Sequence, residues 1–295
     1  MAPRLMVHIG TPKTGSSSLQ RALYDGAYSM SGARVAYPDR LSEVDLAQAM
    51  ARGRHRAVAR RLTDLGRWLA TTDADAFALS SEHFVRLRAD TFASAMGRHL
   101  PEWDARTHVV CYVRPHGPRL VSAFAQLRKS GSYLGSMDSF LQRFEHSRRL
   151  RYSRRLAGWQ ELYGERLWVR AMSSSTLVGG DVVADFLHLA APGTPVEVHA
   201  RRLNPALSVE ALALLHIVHR SLRERDLPAD VAHRIGKRIA SDLNAAGVAD
   251  RGRRLWLSSS QARAVAMIFA EEATQLDDAF FADSRPFTEI NQKSQ

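Results

Sequence analysis

The chain has 295 residues and a single cysteine, Cys111, so its length suits one large α/β domain while an internal disulfide and a thiolate metal cluster are excluded. No run approaches the roughly 18 apolar residues of a membrane span, and the first apolar stretch is too short for a signal peptide, so we expect a cytoplasmic protein without a transmembrane segment. The net charge of +11 comes from 37 arginines and only four lysines, a bias that codon usage explains as well as an anionic partner does.

Short β-like runs alternate with helical patterns along the first 200 residues. The predicted strands are 5–9, 34–37, 76–80, 108–113 and 167–170. The predicted helices are 17–24, 91–100, 118–129 and 181–189, with further helical segments over about 43–71. This alternation predicts an α/β fold, with a parallel sheet flanked by helices on both faces.

The C-terminal third has a different pattern. After Asn204-Pro205 only helices are predicted, over 208–223, 228–243 and 258–281. We therefore expect a single domain, 1–295, with an α/β core over 1–200 and a helical cover over 201–295.

The first strand runs directly into the sequence Gly-Thr-Pro-Lys-Thr-Gly-Ser-Ser-Ser, 10–18, and then into a helix. A strand, a glycine loop and a helix start form a cradle for an anion, because backbone amides point at the ligand and the helix dipole favours negative charge. In an ATP-binding loop the lysine follows the second glycine and a hydroxyl residue after it holds Mg²⁺. Here Lys13 precedes Gly15, so the loop is not of that type. A lysine-containing turn capped by serine stays open as an alternative.

A second turn follows the strand at 108–113. Arg114 stands at the carboxyl end of that strand, and Ser122 lies about one turn into the helix predicted from Pro118. An arginine fork and a serine hydroxyl suit the oxygens of a phosphate. Taken alone, a salt-bridged arginine and a buried serine explain the pattern equally well.

Together the two turns resemble the sulfotransferases that use 3′-phosphoadenosine 5′-phosphosulfate (PAPS), in particular bacterial carbohydrate sulfotransferases. The resemblance rests on Pro-Lys-Thr-Gly-Ser-Ser in the first turn and on arginine, seven residues and serine in the second. It implies the P-loop-type sulfotransferase fold and PAPS as the sulfuryl donor. It also implies a 5′-phosphosulfate site formed by Thr14, Gly15, Ser16, Ser17 and Ser18, and a 3′-phosphate site formed by Arg114 and Ser122.

The resemblance places a glutamate or histidine base after a middle strand. Glu82 is the first candidate and His83 the second, because Ser-Ser-Glu-His follows the strand at 76–80. A salt-bridging carboxylate and a packing histidine are the alternatives. A late basic stretch that covers the 3′-phosphate in the family has only a partial counterpart at Arg251 and Gly252.

Sulfuryl transfer needs positioned charge rather than a metal if a lysine neutralises the leaving oxygen, and we assign that role to Lys13. No metal is expected, since His216 and His219 lack a third ligand nearby. His8, inside the first strand, is expected to be a satisfied core residue. The expected acceptor is a hydroxyl or amine of a glycan, a glycolipid or a small molecule.

Three other functions stay open. A nucleotide kinase would share the phosphate loop, although the lysine order argues against it. A non-catalytic scaffold could retain the nucleotide-binding fold alone. A nucleic-acid-binding protein is disfavoured, because the basic runs at 52–61 and 148–155 contain few aromatic residues.

Overall fold

A computed structural model describes residues 2–144, 147, 150–199, 206–247 and 252–293. Its contacts divide the chain into two compact units, Met1–Arg114 with Arg151–Arg201 and Pro115–Leu150 with Arg202–Gln295. Residues 115–150 thus belong to the second unit, whereas the change of pattern near residue 200 predicts a boundary there. Whether the two units act as one domain stays a prediction.

The first unit contains a five-stranded parallel sheet. Its strands are β1 (Arg4–His8), β3 (Val35–Ala36), β4 (Ala76–Ser80), β5 (Thr107–Val113) and β6 (Leu167–Ala171), in the order β3-β4-β1-β5-β6. A separate antiparallel pair joins β2 (Tyr28–Met30) to β7 (Val196–Val198). The predicted α/β class and the parallel sheet flanked by helices are confirmed, whereas the small antiparallel pair was not predicted.

Helices cover the sheet of the first unit and form the framework of the second. In the first unit they are α1 (Ser16–Asp25), α2 (Val44–Ala51), α3 (His55–Thr71), α4 (Ala89–His99), α5 (Pro101–Asp104), α8 (Tyr152–Tyr163) and α9 (Val182–Ala190), with short 3₁₀ helices at Phe84–Arg86, Gly164–Arg166 and Val178–Gly180. In the second they are α6 (His116–Lys129), α7 (Met137–Phe144), α10 (Val209–Glu224), α11 (Ala229–Ala245), α12 (Ser259–Ile268), α13 (Ala270–Phe280) and α14 (Pro286–Lys293). Among the helices that the structure describes, none combines the length and the apolar character that a membrane span requires.

The central strands are apolar on both faces, as strands of a covered parallel sheet are. Every residue of β4 is buried, and six of the seven residues of β5 are buried. Cys111 has no exposed surface in β5, and burial raises the pKa of its thiol to about 12. Continuous apolar runs identify core strands in the sequence, because a half-exposed strand alternates apolar and polar residues instead.

A buried charged cluster fixes α9 against the sheet. The Asp185 carboxylate, with no exposed surface, accepts hydrogen bonds from the Tyr112 hydroxyl at 2.8 Å and from Arg170 Nε at 3.0 Å. Burial raises the pKa of Tyr112, and the adjacent Asp185 raises it further. Because β5 and β6 supply these partners, the cluster ties α9 to two neighbouring strands and holds its N-terminus in place.

The helix α6 begins at His116, two residues earlier than predicted. Pro115 occupies the N-cap position, so Pro118 falls within the first turn, where its missing N–H costs no intrahelical hydrogen bond. The His116 ring stacks on Phe269 at a centroid distance of 4.3 Å. This aromatic contact anchors the start of α6 inside the second unit.

Candidate active site

The sheet order creates a crevice at the carboxyl ends of β1 and β5. These strands are adjacent, but the chain leaving β1 continues to β3 on one side, and the chain leaving β5 returns as β6 on the other. Ligands of open α/β sheets bind at such a switch point, outside the carboxyl ends of the strands. The loop 9–15 and Arg114 both lie at this edge.

The loop after β1 has an unusual backbone. Lys13 and Gly15 have φ angles of 74° and 78°, while Thr14 between them is not in the positive-φ region. Successive residues that alternate in this way turn their amides towards a common point and form an anion-binding concavity. For lysine the left-handed conformation costs about 1–2 kcal/mol, and strain of this kind is concentrated at functional sites.

The start of α1 adds further donors at the same place. Gly15 is the N-cap residue, and no side chain in the described residues caps the first turn of the helix. The first amides of a helix have no intrahelical acceptor, and the helix dipole attracts negative charge. The loop and the helix start therefore form one cradle of backbone donors.

Two threonines hold the loop closed. The Thr11 hydroxyl donates to the carbonyl of Tyr112 at 3.0 Å, and the Thr14 hydroxyl donates to the carbonyl of Thr11 at 2.6 Å. Both residues are buried. Since the Thr14 hydroxyl is engaged inside the loop, contact of this residue with a ligand would come from its backbone amide.

The three serines of the loop differ in exposure. Ser17 is exposed and Ser18 half-buried, whereas Ser16 is only 4% exposed. The Ser16 Oγ has no hydrogen-bond partner among the described residues. Buried hydroxyls without a partner are uncommon in folded proteins, and an oxygen of a bound anion would supply the missing partner.

His8 lies under the loop. Its place in the site was not predicted from the sequence. Its Nδ1 is hydrogen-bonded to Ser80 Oγ at 2.7 Å, and Gln20 Nε2 donates to the same oxygen at 3.0 Å. Burial lowers the pKa of His8 to about 3, so the ring is neutral at neutral pH. Its Nε2 has no partner within the described chain, so His8 is only half satisfied.

Gly10 separates the two unpartnered atoms. A Cβ at this position would lie 2.4 Å from His8 Nε2 and 2.9 Å from Ser16 Oγ. Both polar atoms therefore face the same small space, and only a residue without a side chain fits between them. The requirement for glycine here is steric, because the φ angle of Gly10 is not positive.

Replacing Gly10 with alanine is expected to lower the free energy of unfolding by about 1–3 kcal/mol, as overpacking does in rigid interiors. The His8 ring cannot withdraw easily because Ser80 holds it. The measurement is urea unfolding, with Gly97→Ala as the control. A Cβ at Gly97 would meet nothing within 4 Å. Equal stability of the two variants would contradict the tight packing of Gly10.

Arg114 lies against the same loop. Its Nη1 donates to the carbonyl of Lys13 at 3.3 Å, and the side chain is half-buried. The structure thus brings together Lys13 and Arg114, which are 101 residues apart in the sequence. The Arg114 guanidinium, the residue Lys13 and a set of backbone amides therefore lie at the crevice, an arrangement suited to a ligand with several negative charges.

The turn after β4 is attached to the same edge. The Ser81 amide donates to the carbonyl of His8 at 3.0 Å, and the Val85 amide donates to the carbonyl of Ile9 at 3.2 Å. Glu82 and His83 lie between these two anchors and are both half-buried. Neither side chain forms a hydrogen bond or an ion pair with the residues that the structure describes. The salt-bridging alternative for Glu82 therefore has no partner among them.

The remaining predicted residues do not belong to the first unit. Ser122 is half-buried in α6 of the second unit, and Gly252 is exposed in that unit. A Cβ at Gly252 would lie 2.2 Å from Glu210 Oε2, and Glu210 is paired with Arg253 at 3.1 Å. Arg251 lies outside the described residues. The roles of Ser122, Arg251 and Gly252 in binding a 3′-phosphate stay predictions.

No group of three or more His, Cys, Asp or Glu residues that could hold a metal ion occurs in the described ranges. Comparison with protein-family models, with curated proteins and with solved structures found no match for this chain. The geometry of the crevice and the sequence motifs are therefore the features that indicate a function.

Proposed function

We propose that this protein is a sulfotransferase that moves a sulfuryl group from PAPS to a hydroxyl or amine of an acceptor, with a glycan or glycolipid as the acceptor class. The observation that carries the proposal is the strained loop after β1. Lys13 stands in the left-handed conformation beside Gly15, and the Arg114 guanidinium binds the Lys13 carbonyl. A donor with separate 5′ and 3′ negative charges fits a site with two cationic centres.

The loop suits the 5′-phosphosulfate of the donor. The amides at the start of α1 and the unpartnered Ser16 hydroxyl would bind its oxygens. Lys13 would neutralise the charge that develops on the bridging oxygen as the sulfur–oxygen bond breaks. Arg114 would bind the 3′-phosphate through its planar fork.

Glu82 is the proposed base and His83 its alternative. In the transfer step the acceptor oxygen attacks sulfur, the bond from sulfur to the bridging oxygen breaks, and adenosine 3′,5′-bisphosphate leaves. Glu82 would accept the acceptor's proton. Its half-buried side chain at the sheet edge has no described cation to neutralise it, which favours this role over a structural one.

Replacement of Arg114 by alanine tests the donor site. We expect binding of adenosine 3′,5′-bisphosphate to weaken by about 1.5–3 kcal/mol, the usual contribution of a charge-assisted hydrogen bond, or roughly 10–150-fold. Isothermal titration calorimetry measures this change, with Arg98→Ala as a control on the exposed end of α4.

Titration with ATP and Mg²⁺ separates the competing functions. Preference of the wild-type protein for Mg-ATP would replace the proposal with a nucleotide kinase. Binding of neither nucleotide would leave a non-catalytic scaffold with this fold. Equal affinity of Arg114→Ala and the wild type for the bisphosphate would remove Arg114 from the donor site.

A further inference from the structure

A groove on the first unit lies next to the turn that contains Glu82. Its volume is about 680 Å³, within the range of about 300–1,000 Å³ found for small-ligand pockets. One wall is the segment 85–90, which leads from the turn into α4, and the other is the exposed side of α8. The groove is part of the first unit alone.

Arginines dominate the charge of the groove. Its lining contains Arg86, Arg88, Arg154 and Arg155 but only two carboxylates. One of these, Asp90, is paired with Arg88 at 2.6 Å. Arg86 and Arg154 are exposed and form no ion pair with any described residue. Their charges are therefore available to an anionic ligand.

One wall of the groove is attached to the chain just before the anion loop. Val85 lines the groove, and its amide donates to the carbonyl of Ile9 at 3.2 Å. Ile9 immediately precedes Gly10, where the loop begins. This wall is thus held at a fixed place relative to the loop, while the described lining itself contains the arginines but no residue of the loop and neither Glu82 nor His83.

The other lining residues favour a sugar chain over a nucleic acid. None of the described lining residues is aromatic, so bases would find no surface for stacking. Leu87 and Leu162 contribute apolar surface, and Leu162 is 43% exposed. Glu161 adds a carboxylate that can accept hydrogen bonds from sugar hydroxyls.

We propose that this groove binds a carboxylate-bearing oligosaccharide, whose carboxylates pair with Arg86 and Arg154. Its further role, to present an acceptor hydroxyl to Glu82, rests on the proposed sulfotransferase function. Binding itself does not depend on the donor. Separate titrations with the oligosaccharide and with the nucleotide therefore show which of the two proposals is wrong.

Calorimetric titration of the full chain with a hexagalacturonate tests the groove. We expect binding that weakens with added salt, with a loss of about tenfold in Arg86→Gln and again in Arg154→Gln. Arg98→Gln, which makes the same charge change outside the groove, should bind as the wild type does. The methyl ester of the oligosaccharide, which keeps the sugars and removes the charge, should bind at least tenfold more weakly.

Gly158 allows a steric test that changes no charge. A Cβ at this position in α8 would meet only the Ala89 Cβ, at 3.8 Å. Gly158→Ala should therefore fold and bind normally, whereas the larger side chain of Gly158→Phe would extend into the groove and block the oligosaccharide. Circular dichroism spectra of both variants are the control for correct folding.

Three results would overturn the proposal. The first is equal affinity for the acid and for its methyl ester. The second is an equal effect of Arg98→Gln and Arg154→Gln on the affinity for the hexagalacturonate. The third is a single-stranded oligonucleotide of matched charge that binds as tightly as the hexagalacturonate does. A parallel titration with adenosine 3′,5′-bisphosphate keeps the two proposals separate. Loss of nucleotide binding with intact oligosaccharide binding would reject the sulfotransferase and retain the groove.

Discussion

Replacing Lys13 with glycine is expected to lower the rate of sulfuryl transfer by about 10²–10³-fold, the usual loss when a group that stabilises developing charge is removed. Lys13 already has a φ angle of 74°, which glycine adopts without strain. The variant should therefore fold as well as the wild type. The measurement is the release of adenosine 3′,5′-bisphosphate from PAPS with a saturating acceptor.

Lys13→Ala separates the effect of losing the side-chain charge from the effect of backbone strain. It removes the same charge but keeps the strain of a left-handed Cβ, so it should lose the same activity and be less stable than Lys13→Gly by about 1 kcal/mol. Lys237→Ala, at an exposed position of α11, is the control for loss of a lysine. Wild-type turnover in both Lys13 variants would contradict its role in the transfer step.

Glu82→Gln is expected to reduce transfer by about 10²–10⁴-fold, the range for loss of a general base. Binding of adenosine 3′,5′-bisphosphate should not change, because the glutamine has nearly the same shape and Glu82 is assigned to the acceptor proton. Transfer rates and nucleotide affinities measured on the same preparations separate a catalytic defect from a folding defect.

His83→Asn decides between the two candidate bases. If Glu82 is the base, this variant should keep most of the activity. The His83 amide already bonds to Ser81 Oγ, so the turn should survive the substitution. The opposite result, a large loss in His83→Asn and little change in Glu82→Gln, would transfer the role to His83.

The sheet could be predicted from sequence because its strands are continuous apolar runs. The predicted strand 76–80 coincides with β4, and β1 and β5 differ from the predictions by one residue at their ends. The pair β2 and β7 could not be found in this way, since each strand has three residues and none is buried. Such short strands exist because of their pairing, which links residues far apart in the chain.

The helix α8 was missed although its signal is present in the sequence. Its buried residues Tyr152, Leu156, Trp159 and Tyr163 recur at helical spacing. The basic run at 148–155 overlaps the first turn of this helix. This omission mattered, because α8 forms one wall of the arginine-rich groove.

The site was predictable only in part. Glycines and a lysine at the end of a strand identify the loop by local pattern alone. The place of His8 depends on Ser80, which is 72 residues away, and on the absence of a side chain at Gly10. No local pattern contains that information, because register between parallel strands brings these residues together.

The single thiol of this chain lies where reagents cannot reach it. Cys111 is sealed in β5 between β1 and β6, with the pKa of its thiol raised to about 12. The surface of the native protein therefore exposes no thiol to a labelling reagent. A cysteine introduced at the exposed Gln160 of α8 could carry a fluorophore or spin label without removal of any native residue. The rate at which a thiol reagent modifies Cys111 would then report how often the central sheet opens.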